Sequence, residues 1–69
     1  MKLKINLDRI LFERKISQTD LVRASGLSFG TINNLVNGKN KGLTLDTIGK
    51  LCSTLEVPVE QLIVADNDQ

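Results

Sequence analysis

The segment QTDLVRASGLSFGTINNLVN, residues 18–37, carries the strongest structural pattern in the chain. Apolar side chains fall at helical spacing on either side of a break at Gly26 and Leu27. Ser17 and Ser28 each precede one half of the segment, at the position where a hydroxyl caps the first turn of a helix. Gly26 follows the first half, and glycine adopts the left-handed conformation that ends a helix at little cost. The segment therefore predicts two helices joined by a three-residue turn.

Two helices joined by so short a turn cross steeply and form a helix-turn-helix unit. The apolar positions fit this geometry. Leu21 and Val22 lie on the first helix of the unit, and Leu27 fills the turn. Ile32 and Leu35 lie on the second helix. We expect these side chains to form the core of the unit.

Amphipathic helical patterns continue on both sides of this unit. The stripes are formed by Leu7, Ile10 and Leu11 in a first helix and by Ile48, Leu51, Cys52 and Leu55 in a fourth. Leu45 is expected to extend the fourth-helix stripe by one turn, and Pro58 to open a short fifth helix. Residues 1–6 alternate polar and apolar side chains, which predicts a short strand that pairs with the apolar run at residues 62–65. We therefore expect one all-α domain over residues 1–69, a compact bundle of about five short helices with a small β pairing between its ends.

Composition excludes several classes of function. The chain has 69 residues, no His and a single Cys. The chain therefore lacks the side chains needed for a zinc site, for a Ser–His or Cys–His nucleophile, or for a disulfide framework. We expect neither an enzyme nor a bound metal or cofactor. A lone thiol suits the reducing cytoplasm, and no apolar run is long enough to cross a membrane.

The charge is distributed unevenly along the chain. The formal net charge is only +1. Residues 1–43 carry eight basic and three acidic side chains, a balance of +5, whereas residues 44–69 carry one basic and five acidic side chains, a balance of −4. Such asymmetry indicates a surface that faces a polyanion, although chance scatter of surface charge is the plainer alternative.

The quoted helices and their flanks resemble a known family. The matching text is ISQTDLVRASGLSFGTINNLVNGK, residues 16–39, followed by LDTIGKLCSTLEV, residues 45–57. It is similar to the Cro/C1-type (XRE) helix-turn-helix family, the phage-repressor-like regulators. The resemblance implies a lambda repressor-like bundle, sequence-specific DNA binding and dimerisation on a palindromic operator.

Three positions depart from the family pattern. Val22 stands where a small Ala is usual, and Val36 where an acid often precedes the Asn-Gly stop. Leu11 replaces an Arg that is common late in the first helix, and Arg9 or Arg14 is expected to take over its phosphate contact.

The outward face of the third helix supplies the candidate base-reading residues. At about 100° per residue, Ile32 and Leu35 share the core side, and the opposite side carries no acid. The candidates are Phe29, Gly30, Asn33 and Asn34. Asparagine can form two hydrogen bonds with adenine, and an aromatic ring can pack on a thymine methyl group. The alternatives are that the asparagines are merely solvated and that Phe29 packs against Val36 at the edge of the core.

The candidate phosphate-binding residues lie beside this face. They are Gln18, Ser28, Thr31, Asn37, Lys39, Asn40 and Lys41. Gln18 stands at a helix N-terminus, where backbone N–H groups attract anions, and the resemblance implies a phosphate contact for a Gln at this position. Ser28 would cap its helix in any case, and the lysines could equally be solvated loop charges.

These observations predict a sequence-specific transcriptional regulator, a repressor, which reads the major groove of a double-stranded DNA operator with its third helix, residues 28–37. We expect a cytoplasmic homodimer, at least on DNA, with no small-molecule effector. The dimer contact is expected among Val57, Val59, Ile63 and Val64. The alternative is a protein-interaction module, such as an antitoxin-like partner with weak or no DNA binding, because the third helix carries no Arg or Lys.

Overall fold

The computed structural model of the chain describes residues 2–39 and 43–66. The elements run in the order β1 (Leu3–Ile5), α1 (Leu7–Arg14), α2 (Gln18–Ser25), α3 (Phe29–Val36), α4 (Leu45–Leu55), α5 (Val59–Leu62) and β2 (Ile63–Ala65). Within these residues the predicted all-α fold, with five short helices and a small terminal β pairing, is confirmed.

The two strands pair the first and last parts of the described chain. They are antiparallel, with Leu3 opposite Ala65 and Ile5 opposite Ile63. The pairing is extended at one end by a hydrogen bond from Asn6 N to the carbonyl oxygen of Leu62, at 2.7 Å. Since Asn6 leads directly into α1 and Leu62 ends α5, the sheet holds the start of α1 beside the end of α5.

Three hydroxyl side chains cap the N-termini of the middle helices. Ser17 Oγ accepts a hydrogen bond from Asp20 N at 3.0 Å, and Ser28 Oγ accepts one from Thr31 N at 3.1 Å. Thr44 Oγ1 caps α4 in the same way. Gly26 follows α2 with φ of 75°, a left-handed conformation that glycine adopts at low cost. The helix boundaries predicted on both sides of the turn are therefore confirmed.

One apolar core joins all the elements except β2, whose Ile63 packs against it. Its buried members are Ile5, Leu7, Ile10, Leu11, Leu21, Ile32, Leu35, Leu51, Leu55, Val57 and Leu62. Val22 and Leu27 are partly buried and pack against this cluster. The predicted core of the helix-turn-helix unit is therefore confirmed.

Two expectations about apolar side chains are wrong. Leu45 is 87% exposed, because it is the first residue of α4 and lies before the turn at which that helix meets the core. Val57, expected to be an exposed candidate for the dimer contact, is only 6% exposed. Its N–H donates to the carbonyl oxygen of Cys52 at 3.1 Å, which folds the chain back over the end of α4 and turns Val57 inward.

Arg14 connects the ends of two helices. Its Nη1 donates a 2.6 Å hydrogen bond to the carbonyl oxygen of Leu55, the last residue of α4. Carbonyl groups at a helix C-terminus lack partners within the helix, and a cation there is favoured by the helix dipole. Arg9 instead forms an exposed ion pair with Glu13 at 3.3 Å. Arg14 is thus engaged within the fold, and Arg9 is engaged with a neighbouring side chain on the surface of α1.

We predict that Arg14→Ala lowers the free energy of unfolding by about 1–2 kcal/mol, since it removes a charged hydrogen bond from a partly buried carbonyl. Arg9→Ala is the matched control, and we expect it to cost less than about 0.5 kcal/mol because its ion pair is exposed. Chemical denaturation of the two variants and the parent checks this difference. Equal midpoints for both variants would contradict the role given to Arg14.

Candidate nucleic-acid interface

The helix-turn-helix unit has one buried side and one solvated side. Leu21 of α2 and Ile32 and Leu35 of α3 are each no more than 1% exposed. The three-residue turn between the helices is held in place by the partly buried Leu27. Because the apolar side of α3 is fixed in the core, its polar side is directed away from it.

Residues at the start of α3 present an open surface. Phe29 is 53% exposed, so its ring is accessible to a ligand whatever contact it makes with Val36. Gly30 is exposed as well, and a Cβ added there would have no neighbour within 4 Å. The fold itself therefore does not require glycine at this position, and the backbone of α3 can be approached closely here.

Asn33 and Asn34 differ in their surroundings, although both are half-buried. Asn33 Nδ2 donates to Gln18 Oε1 at 3.2 Å, and Asn33 Oδ1 accepts from Asn37 Nδ2 at 3.1 Å. The Asn34 side chain has no hydrogen-bond partner among the described residues. Asn34 therefore keeps its full donor and acceptor capacity, whereas Asn33 is held on both sides.

Ser28 and Thr31 share one capping arrangement. Ser28 Oγ accepts from Thr31 N and donates its own proton to Thr31 Oγ1 at 2.9 Å. A hydroxyl has one proton to donate, and a phosphate oxygen can only accept. The O–H of Thr31 is thus better placed to contact a phosphate than that of Ser28, which serves as the helix cap.

The basic segment after α3 is described only at its start. Gly38 has φ of 80°, and Lys39 N donates to the carbonyl oxygen of Asn34 at 2.8 Å. This turn places the exposed Lys39 directly beyond the end of α3. Asn40 and Lys41 lie outside the described residues.

A groove of 610 Å³ brings further charged residues to the end of α3. It lies between β1, the start of α1 and the last turn of α3, and its lining includes Lys4, Asp8, Arg9, Asn37 and Asp66. Sequence reasoning did not place Lys4 near the third helix, because their proximity depends on the pairing of β1 with β2. Charges of both signs meet in this groove.

Two features are absent from residues 2–39 and 43–66. None of the helices there has the length and apolar character needed to cross a membrane. The same residues form no group of three or more His, Cys, Asp or Glu side chains able to hold a metal ion.

Comparison with known proteins identifies the family. Residues 6–68 match the family described as the Cro/C1-type HTH DNA-binding domain. The chain is also similar to the uncharacterized HTH-type transcriptional regulator YozG of Bacillus subtilis (strain 168). The two are 32% identical over 69 residues, which cover 100% of this chain and 82% of YozG. With its buried helix-turn-helix core and its solvated third helix, this chain belongs to the Cro/C1-type helix-turn-helix DNA-binding family.

Proposed function

We propose that this DNA-binding domain is a cytoplasmic transcriptional repressor that binds a double-stranded DNA operator as a homodimer and needs no small-molecule effector. The observation that carries the proposal is the outward face of α3, which exposes Phe29 beside polar side chains, carries no acidic residue and is held in place by the buried side of the same helix. A helix so presented fits the major groove, while α2 crosses the DNA backbone. Repression requires only that the bound domain occupies the operator.

Base reading is assigned first to Asn34. Its carboxamide has one donor group and one acceptor group, which match the N7 and N6 positions of adenine. Phe29 is exposed enough to pack on a thymine methyl group, and Gly30 allows the backbone to come close to a base edge. These three residues form the reading surface that we propose for α3, and the engaged amide of Asn33 borders it.

Phosphate contacts are assigned to the N-terminus of α2 and to the residues around α3. Ser17 accepts from Asp20 N, which leaves the N–H groups of Gln18 and Thr19 at the start of α2 for an anion. The other phosphate candidates are Ser28, Thr31, Asn37, Lys39, Asn40 and Lys41. Phosphate neutralisation by the lysines supplies affinity without sequence preference.

The dimer contact is assigned to the surface around α5 and β2. Val59 is 53% exposed, and Ile63 and Val64 are half-buried. Because Val57 lies in the core, these three residues remain of the four expected to form the dimer contact. A two-fold dimer presents two copies of α3 about 34–36 Å apart, one turn of DNA.

The second candidate function is a protein-interaction module with weak DNA binding. It is favoured by the absence of any Lys or Arg on α3. Binding to random DNA distinguishes the two, because a DNA-binding protein loses affinity steeply as salt rises. A flat salt response would favour the protein partner.

We predict that Asn34→Ala relaxes the preference of the protein at one base pair and weakens binding to the preferred site by about 1–3 kcal/mol. Selection of bound sites from random DNA, performed with the parent and the variant, measures both effects. Thr19→Ala, a change at the start of α2, is the control and should leave the selected sequence unaltered. If Asn34→Ala selects the parental sequence, Asn34 does not read a base.

We predict that the combined Lys39→Ala and Lys41→Ala changes weaken binding to all sequences alike. Each lysine that contacts a phosphate should reduce the slope of log K against log salt by about one. Lys50→Ala is the matched control, because Lys50 pairs with Asp46 in the acidic part of the chain. A slope equal to that of the parent would show that neither lysine contacts a DNA phosphate.

We predict that Val59→Glu shifts the protein from dimer to monomer, because a carboxylate buried in an apolar contact is unfavourable. Leu45→Glu, at another exposed apolar position, is the matched control and should leave the dimer intact. Sedimentation at micromolar concentration, with and without operator, measures the mass. A parental complex with one protein chain per operator would contradict the two-fold arrangement.

A further inference from the structure

Three carboxamide side chains form a continuous hydrogen-bonded series across α2 and α3. Asn37 Nδ2 donates to Asn33 Oδ1 at 3.1 Å, and Asn33 Nδ2 donates to Gln18 Oε1 at 3.2 Å. We call these residues the amide series. Asn33 and Asn37 are four residues apart and so lie on the same side of α3. Gln18 is the first residue of α2, so the series joins the end of α3 to the start of α2.

The direction of the series determines what Gln18 can present to DNA. Gln18 Oε1 is turned towards Asn33, and the planar amide therefore places Nε2 on the other side of the group. Neither N–H of Nε2 has a partner among the described residues. A phosphate oxygen accepts hydrogen bonds and cannot donate them, so this orientation of Gln18 suits a phosphate, and the reverse orientation would repel it.

Asn37 is the partner of Asn33 on the side away from Gln18. Because Asn33 Oδ1 accepts from Asn37, its Nδ2 is the atom that faces Gln18. Asn33 is half-buried and engaged at both ends of its amide, whereas Asn34 is free of such contacts within the described chain. The neighbouring asparagines therefore have different roles available to them.

We infer that Asn33 and Asn37 are positioning residues, which hold the carboxamide of Gln18 with its N–H groups available to a DNA phosphate, and that Asn33 acts in this way rather than by reading a base. The inference rests on the proposed placement of α3 in the major groove and of the α2 N-terminus on the DNA backbone. It assigns Asn33 an effect on affinity that is the same for every sequence, transmitted through Gln18.

A double-mutant cycle on the full chain tests the coupling between Asn33 and Gln18. Affinity for the operator selected by the parent is measured for Gln18→Ala, Asn33→Ala and the double variant. We expect losses of about 10-fold for Gln18→Ala and about 5-fold for Asn33→Ala. The double variant should lose about 10-fold, not the product of the two, because Asn33 acts through Gln18. Losses that multiply would overturn the inference.

The selected sequence separates a positioning residue from a base reader. Asn33→Ala should select the same operator as the parent, with Asn34→Ala as the comparison variant. A relaxed preference at one base pair in Asn33→Ala would show that Asn33 reads a base, and this outcome would leave the proposed function intact. If the parent itself selects no sequence, the proposed function fails, and the inference fails with it.

Stability measurements separate positioning from a merely structural role. Asn33→Ala loses two side-chain hydrogen bonds but gains the higher helix propensity of alanine, so its melting temperature should stay close to that of the parent. A drop in melting temperature that accounts for the lost affinity would contradict the inference. Asn37→Ala provides a second measurement. Because Asn37 is also a phosphate candidate, its expected loss of about 3-fold should become smaller in the Asn33→Ala background, and an equal loss in both backgrounds would contradict its positioning role.

Discussion

The buried contact between α2 and α3 is the constraint on which the remainder of the surface depends. Leu21, Ile32 and Leu35 are almost fully buried, and the turn between the helices contains only three residues. Gly26 makes so short a turn possible because it takes a left-handed conformation directly after α2. Once these apolar side chains are in the core, helical geometry directs Asn33, Asn34 and Asn37 to the other side of α3.

The supporting elements keep this contact in place from the two ends of the chain. β1 pairs with β2, so the start of α1 is held beside the end of α5. At the other end of α1, Arg14 binds the last carbonyl of α4, and Glu56 continues the chain with a left-handed φ of 56°. Helix α1 packs against α3, and α4 packs against α2. Both attachments therefore stabilise the helix-turn-helix unit.

Local patterns in the sequence predicted most of the fold and only part of the site. The caps at Ser17 and Ser28 and the helix end at Gly26 depend on a few neighbouring residues, so the sequence indicates them directly. Burial of Val57 and exposure of Leu45 depend on how far α4 overlaps the core. The spacing of apolar residues in the sequence does not determine this overlap. The hydrogen bond between Gln18 and Asn33 joins residues fifteen apart on two helices, and it follows only from their crossing geometry.

The neutral character of α3 separates two physical tasks. Carboxamides discriminate between bases through hydrogen-bond direction, but they add little long-range attraction for a polyanion. Attraction must then come from charged groups outside α3, and the basic part of the chain, residues 1–43, contains them. Because the proposed function places the two tasks on different residues, we expect a substitution such as Asn34→Gln to change the preferred sequence while the net charge, and with it the nonspecific affinity, stays the same. In the arrangement that we propose, the amide series adds a third contribution: it holds a neutral hydrogen-bond donor towards a phosphate at the start of α2, without adding charge to the reading surface.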